Sequence, residues 1–386
     1  MNTPSAEDQV RFLSNLQRLL AEGQFVATYK YALLLALADL AVEQGDDTDA
    51  TLKIPTALIA EKFIHYYWRQ TVPYVPRQGS GSTARILRQN TARQAEVVSR
   101  LENMRDRVGQ SLVVVQQDQR RWQSLVRGIE RVVTIMPLWK LQTVGGQPLE
   151  FLYGRSAESR FIELKPGVAY CLRKFHDLIT DLVRGAWVRY IRRVNADMLD
   201  TNVDLHEFLF GSERASLGII QSILQEFQEG KCFYCKARLD RGAAHVDHFI
   251  PWARYPVDLG HNFVLAHGSC NSSKGDRLAA VDHLRVWMDR NSRYGSQLDA
   301  EFKRRDLVSD LDSTRQIAQW AYSQTYQAHG LTWLRGDTLV PLPGGWENVM
   351  VNSIRPHLVK GMRSVGRDLS PMGAKRNPAI RGLEVR

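Results

Sequence analysis

The chain has 386 residues, with 51 Lys and Arg against 41 Asp and Glu, 44% hydrophobic residues and four cysteines. That length exceeds one ordinary domain and predicts two or three units, each large enough to bury its own core. The composition is that of a folded soluble protein, and the formal charge of +10 favours a polyanionic partner.

The start at Met1 lacks a basic segment followed by an apolar core and a small-residue cleavage site. The longest apolar stretch, Tyr31 to Val42, is interrupted by Asp39 and is too short to cross a bilayer. The expectation is therefore a cytoplasmic protein with no membrane partner. In the first 130 or so residues the periodicity is mainly helical. Val10, Leu13, Leu16 and Leu20 are spaced for one buried face, and Phe25 to Glu43 reads as a nearly all-apolar helix central to a core. Thr51 to Val75 reads as a short strand-like piece and then a helix from Pro55 with Ile59, Phe63 and the Tyr66, Tyr67, Trp68 cluster, a small helical domain of winged-helix flavour. Arg77 to Thr83 is a linker, since it lacks the Gly-Lys-Ser/Thr ending of a phosphate-binding loop.

From Arg93 to Val133 the spacing predicts one long helix or an antiparallel pair broken at Gly109. Its arginines 120, 121, 127 and 131 read as a solvated face. Gly145-Gly146, with β-rich pieces around Leu149 to Tyr153 and Phe161 to Leu164, predicts a short sheet, followed by a helix from Val168 to Asn195 with Trp187, Tyr190, Ile191 and Cys171 in the core. After Trp287 the pattern is helical again, with Ile317, Trp320, Ala321 and Tyr326 on one side, then a β-like piece around Thr338 to Leu342. The tail after Ile354 carries eight Lys and Arg against two acids, so six of the ten net charges fall on a basic flexible segment.

The diagnostic stretch is Lys231 to Leu278. Cys232-x-x-Cys235 is answered by His267-x-x-Cys270, a Cys₃His set with the short local spacings of a closed structural zinc site. His245 and His261 compete for the histidine position on composition, though neither has the two-residue spacing to Cys270. Interleaved with these are Asp247-His248, Asn262 and Asn271. A histidine suits the base that deprotonates water, and a carboxylate beside an amide oxygen suits Mg²⁺ rather than zinc. Taken singly, Asp-His reads as a surface pair, Asn262 as a turn residue, Asn271 as a helix cap and Lys274 as a solvated charge; together they match the needs of phosphodiester hydrolysis.

This pattern resembles the HNH endonuclease family, whose ββα-metal module places Asp-His on a first strand, then a loop, a second strand and a helix. Val246 to Ile250 corresponds to the first strand, Phe263 to Ala266 to the second and Cys270 to Arg285 to the helix. The resemblance implies that His248 is the general base, Asp247 and Asn271 hold the catalytic Mg²⁺ or Mn²⁺, Asn262 holds the loop bearing His248, and Lys274 contacts phosphate. Many members have His where this chain has Asn271, a change that bears on metal preference. Neighbours on a regular strand point to opposite faces, so Asp247 and His248 are expected to approach one phosphate from different sides.

The expected fold class is α+β and mainly α-helical, with a helical N-terminal domain at 1–135, a mixed connecting region at 136–216, a zinc-stapled ββα-metal nuclease module at 217–290, a helical region at 291–354 and a basic flexible tail at 355–386. The expected function is hydrolysis of DNA, duplex above all, by an HNH endonuclease or nickase in bacterial restriction or anti-phage defence, with other defence-system proteins as further partners. A non-catalytic zinc-containing DNA-binding module and an RNA-cutting nuclease are the alternatives.

Overall fold

Apolar spacing decides the first element, α1 (Ala6–Glu22), but the buried stripe is Phe12, Leu16 and Leu19, with Val10 63% exposed. The expected Val10 face is thus rotated by part of a turn. The structure, a computed structural model, describes residues 3–75, 84–154, 160–199, 204–211, 217–240 and 244–352. The linker expected at Arg77 to Thr83 and the basic tail at 355–386 lie outside them.

The next helix, α2 (Tyr29–Gln44), is buried along almost its whole length, as an all-apolar helix must be. Strand β1 (Leu52–Pro55) leads into α3 (Thr56–Trp68), followed by α4 (Glu96–Val108), α5 (Leu112–Gln117), α6 (Gln119–Ile135) and α7 (Pro137–Lys140). Gly109, at φ 90°, ends α4 where a side chain would be strained. Gly145 and Gly146, both at positive φ, form the two-residue turn between β2 (Thr143–Val144) and β3 (Gln147–Pro148). β4 (Phe161–Leu164) pairs antiparallel with β1, a partner more than a hundred residues away in sequence. Leu149 to Tyr153 contributes only the isolated bridge from Tyr153 to Leu164. The helix expected over Val168 to Asn195 is two, α8 (Val168–Lys174) and α9 (His176–Val194), before α10 (Leu205–Phe210).

The second half runs α11 (Leu217–Phe227), β5 (Ala244–His248), β6 (Phe263–His267), α12 (Gly268–Lys274), α13 (Val281–Arg304), α14 (Leu311–Gln327), β7 (Leu331–Arg335), β8 (Thr338–Pro341) and α15 (Glu347–Asn352). The single helix expected from Cys270 to Arg285 is broken, because Gly275 takes φ 52°, ψ −135° and releases the chain from α12. Tyr326 departs from its expected buried face and is 42% exposed, whereas Ile317, Trp320 and Ala321 are buried. β8 has β7 as its antiparallel partner, which the sequence did not suggest. The architecture is mainly helical α+β with four two-stranded sheets among the described residues. None of the described helices is long and apolar enough to cross a membrane.

Buried side chains form two clusters, one from Phe12 to Leu209 and one from Ile220 to Met350. Helix α2 bridges them: its Val42 belongs to the second cluster, and α14 packs on it. Polar groups line the α2 side of this seam, and Trp320 Nε1 of α14 crosses it to donate to the Arg173 carbonyl at 2.9 Å. Arg173 of α8 reaches Asp47 at 2.9 Å and donates to the carbonyls of Ala41 and Val42, satisfying the C-terminal end of α2. Asp39 of α2 accepts from Tyr66 at 2.6 Å and pairs with His176 Nε2 at 2.9 Å, while Glu43 pairs with Lys62.

Burial opposes the charge on His176, but Asp177 and Asp39 outweigh it and raise its pKa above 6.5. Burial also opposes the charge on Asp39, and His176, Lys62 and Tyr66 outweigh it and lower its pKa below 3.8. The stability each contributes is therefore fully present between those two values. It is lost below them as Asp39 protonates and above them as His176 deprotonates. The melting temperature of His176→Gln relative to the unsubstituted protein, measured from pH 4 to 9, is expected to show its largest deficit in the acidic window and a smaller one once His176 is neutral. A deficit independent of pH would show that the imidazolium contributes nothing.

Candidate active site and zinc knuckle

The first part of the site is a tight turn. The backbone NH of Cys232 donates to Ala237 at 2.8 Å, and Lys236 NH returns to the Cys232 carbonyl at 3.0 Å. Lys236 adopts φ 64°, and its ammonium rests 4.6 Å from the centre of the Phe233 ring. Across from the turn, β6 ends at His267 and Cys270 lies in the first turn of α12. One ligand atom from each of Cys232, Cys235, His267 and Cys270 falls within 4.8 Å of every other. The competing histidines are elsewhere: His245 is exposed on β5, and His261 is buried with Nε2 on the Gly295 carbonyl.

His267 Nε2 donates to the Arg238 carbonyl at 3.1 Å, which leaves the Nδ1 lone pair facing Cys235 Sγ at 3.3 Å. Edges of a tetrahedral Cys₃His zinc site are about 3.5–3.8 Å, so the four donors close on one ion with small side-chain rotations. Their protons argue the same way. Burial raises Cys232, yet backbone NH groups of Cys235, His267 and Tyr234 outweigh it and pull the thiol down to about 7. Burial and the neighbouring Cys232 and Cys235 push Cys270 up to about 12. Three sulfurs this close resist losing all their protons together, and a divalent cation removes that resistance.

The second part is built on the β5–β6 hairpin, in which Asp247 faces Val264 and His248 faces Phe263. Alternation sends the two side chains to opposite sides. Asp247, buried, accepts from the Tyr234 hydroxyl at 2.5 Å and pairs with Lys274 Nζ at 3.1 Å. His248 turns the other way, with Nε2 on Asp258 at 2.7 Å and its ring 4.7 Å from that of Phe263. The carboxamide of Asn262 clamps the chain after His248, accepting from Ile250 NH at 2.8 Å and donating to the Ile250 carbonyl at 2.9 Å. Arg290 of α13, also buried, donates to the carbonyls of His261 and Phe263 and so fixes the backbone on either side of Asn262.

Lys274 departs from its expected place. It is fully buried, and besides Asp247 it donates to the His248 carbonyl at 2.9 Å, so it stands as an internal counter-ion rather than at a phosphate. Burial lowers its pKa and Asp247 works against that shift. Asn271 lies three residues before Lys274, on the same face of α12, and is half-buried. Three groups that hold the site went unnoticed in the sequence: Asp258, Tyr234 and Arg290. Tyr234 sits inside the Cys-x-x-Cys knuckle, and its proximity to Asp247 follows from the docking of that turn on β6, where Phe233 NH donates to the Leu265 carbonyl at 2.8 Å; Asp258 and Arg290 carry no local signal.

Residues 9–209 match the family model described as Domain of unknown function (DUF8808), and residues 232–277 match that of the HNH endonuclease. No solved structure matches the chain.

Removing Lys274 would leave the buried Asp247 carboxylate without its cation. Lys274→Met is expected to lower unfolding free energy by about 3–5 kcal/mol in a urea titration; a change within about 0.5 kcal/mol would return Lys274 to the surface. Purified protein is expected to hold one zinc per chain by elemental analysis, and Cys232→Ser or Cys270→Ser to lose both the metal and solubility. Metal-free protein with an unchanged melting temperature would contradict the cluster's structural role.

Proposed function

Since the chain belongs to the family described as Domain of unknown function (DUF8808) and carries an HNH endonuclease domain at 232–277, we propose that it is a metal-dependent endonuclease or nickase that hydrolyses phosphodiester bonds in DNA. The observation that carries this reading is the orientation of His248. A carboxylate accepts and does not donate, so the 2.7 Å contact assigns the proton to Nε2 and leaves Nδ1 as the lone pair available to an attacking water. Asp258 thus fixes the tautomer and direction of the ring, and Asn262 keeps His248 at the end of its strand.

Asp247 and Asn271 are the residues that would hold Mg²⁺ or Mn²⁺, since both offer hard oxygen donors. Such an ion, when bound, supplies charge for the developing negative oxygen on the leaving side. The opposed directions of Asp247 and His248 suit an in-line displacement, in which base and leaving group lie on opposite sides of phosphorus. Lys274 would act indirectly, by fixing the carboxylate of Asp247. We further propose duplex DNA as substrate and restriction or anti-phage defence as the setting, with the N-terminal domain recognising DNA or another defence protein; support comes from the chain's basic charge and from its HNH endonuclease domain.

One observation favours a second reading. The Lys274 ammonium already neutralises Asp247 and opposes a second cation there, as in a zinc-containing module that binds DNA without cutting it. Incubating plasmid with protein and Mg²⁺ or Mn²⁺ separates the two, and labelled duplex DNA, single-stranded DNA and RNA compare substrates. Nicked or linear product is expected, reduced about 10²- to 10⁴-fold by His248→Ala at unchanged zinc content and melting temperature. Binding without any cleavage by the unsubstituted protein would leave the binding module, and near-normal cleavage by His248→Ala would remove His248 as the base.

A further inference from the structure

Between Phe249 and Asn262 the chain leaves the hairpin, and its two ends are fixed within the module by the Asn262 clamp and by Phe249 NH on the Asn262 carbonyl at 2.8 Å. Its middle is held differently. Tyr255 is 3% exposed, and its hydroxyl donates at 2.7 Å to Glu43 on α2, inside the DUF8808 segment. Its ring stacks on His176 of α9 at 5.6 Å and meets Trp320 of α14 edge-on at 6.1 Å. Glu43 is fixed in turn by Lys62 of α3 at 2.5 Å. Asp258, the partner of His248, follows Tyr255 by three residues.

We propose that Tyr255 is a positioning residue for the His248 base: through its hydroxyl on Glu43, the N-terminal domain fixes the loop that carries Asp258. This rests on the nuclease reading above, but its geometry reaches further, because it makes the N-terminal domain part of the catalytic apparatus. The path is short and contiguous, from Lys62 and Glu43 through Tyr255 and three residues of backbone to Asp258 and the imidazole. Any rearrangement of α2 relative to the nuclease module, including one caused by a ligand of the N-terminal domain, would reach His248 by this path.

The test uses the full chain with Tyr255→Phe, Glu43→Leu, the double variant, and Tyr190→Phe as a control that removes an N-terminal-domain hydroxyl bonded to the Val26 carbonyl. Two readouts are needed: plasmid nicking with Mg²⁺, resolved into kcat and KM, and hydrogen–deuterium exchange of peptides covering 251–260. The expected result is a fall in kcat of about 10- to 100-fold at unchanged KM for Tyr255→Phe and Glu43→Leu, no further loss in the double variant, and wild-type turnover for Tyr190→Phe. Exchange in 251–260 should accelerate in Tyr255→Phe but not in Tyr190→Phe. Unchanged kcat in Tyr255→Phe beside an active wild type overturns the inference, as does exchange in 251–260 that the substitution leaves unaltered. An inactive wild type with the exchange pattern as expected would instead remove the nuclease reading and leave the tether.

Discussion

Four donor atoms within 4.8 Å of one another join the turn before β5 to the helix after β6, and the rest of the second core is arranged around that junction. The junction sets where α12 begins, and α12 is the element that presents Asn271 and Lys274. The Cys-x-x-Cys turn also carries Tyr234, whose hydroxyl finds Asp247 only because the turn is folded back on β6. A cation held here would thus organise the Asp247 side of the site without touching it.

The other half obeys a different constraint. His248 is held by loop atoms, Asp258 on the ring and Asn262 on the following peptide, and the loop is held from outside the hairpin by α2 and α13. The His248 side therefore depends on long-range packing, and the Asp247 side on a local clasp. Strand alternation keeps the two apart, as the proposed in-line displacement would require.

The motifs legible in the sequence were those written in short spacings. Two cysteines two residues apart, a histidine two before another cysteine and an Asp-His pair state their chemistry locally, and the cluster of Cys232, Cys235, His267 and Cys270 is found together. The helices of the first half were readable for the same reason, since period and length mark them. Illegible features depend on tertiary contacts. Lys274 reads as a solvated helix charge until the fold buries it against Asp247, and Val10 satisfies a helical period on a face that the fold leaves in water. Asp258 is one acid among many until the loop turns it to His248. The β1–β4 pairing joins segments too distant for any local pattern, and the break at Gly275 hides in a sequence whose apolar spacing resumes after it.

The aromatic packing behind the hairpin has a bearing on modularity. Phe249 lies flat on Trp287 at 4.9 Å, and Tyr234 meets Trp333 edge-on at 5.1 Å. Both tryptophans are buried and both lie beyond residue 277, where the recognised segment stops. That segment supplies the Cys₃His cluster and the Asp247–His248 pair but not the aromatic walls behind them. Excised alone, it would carry bare aromatic faces into water and forfeit the shape that its own motif presupposes; the smallest unit that can be transplanted includes the helices and the β7–β8 hairpin that follow it.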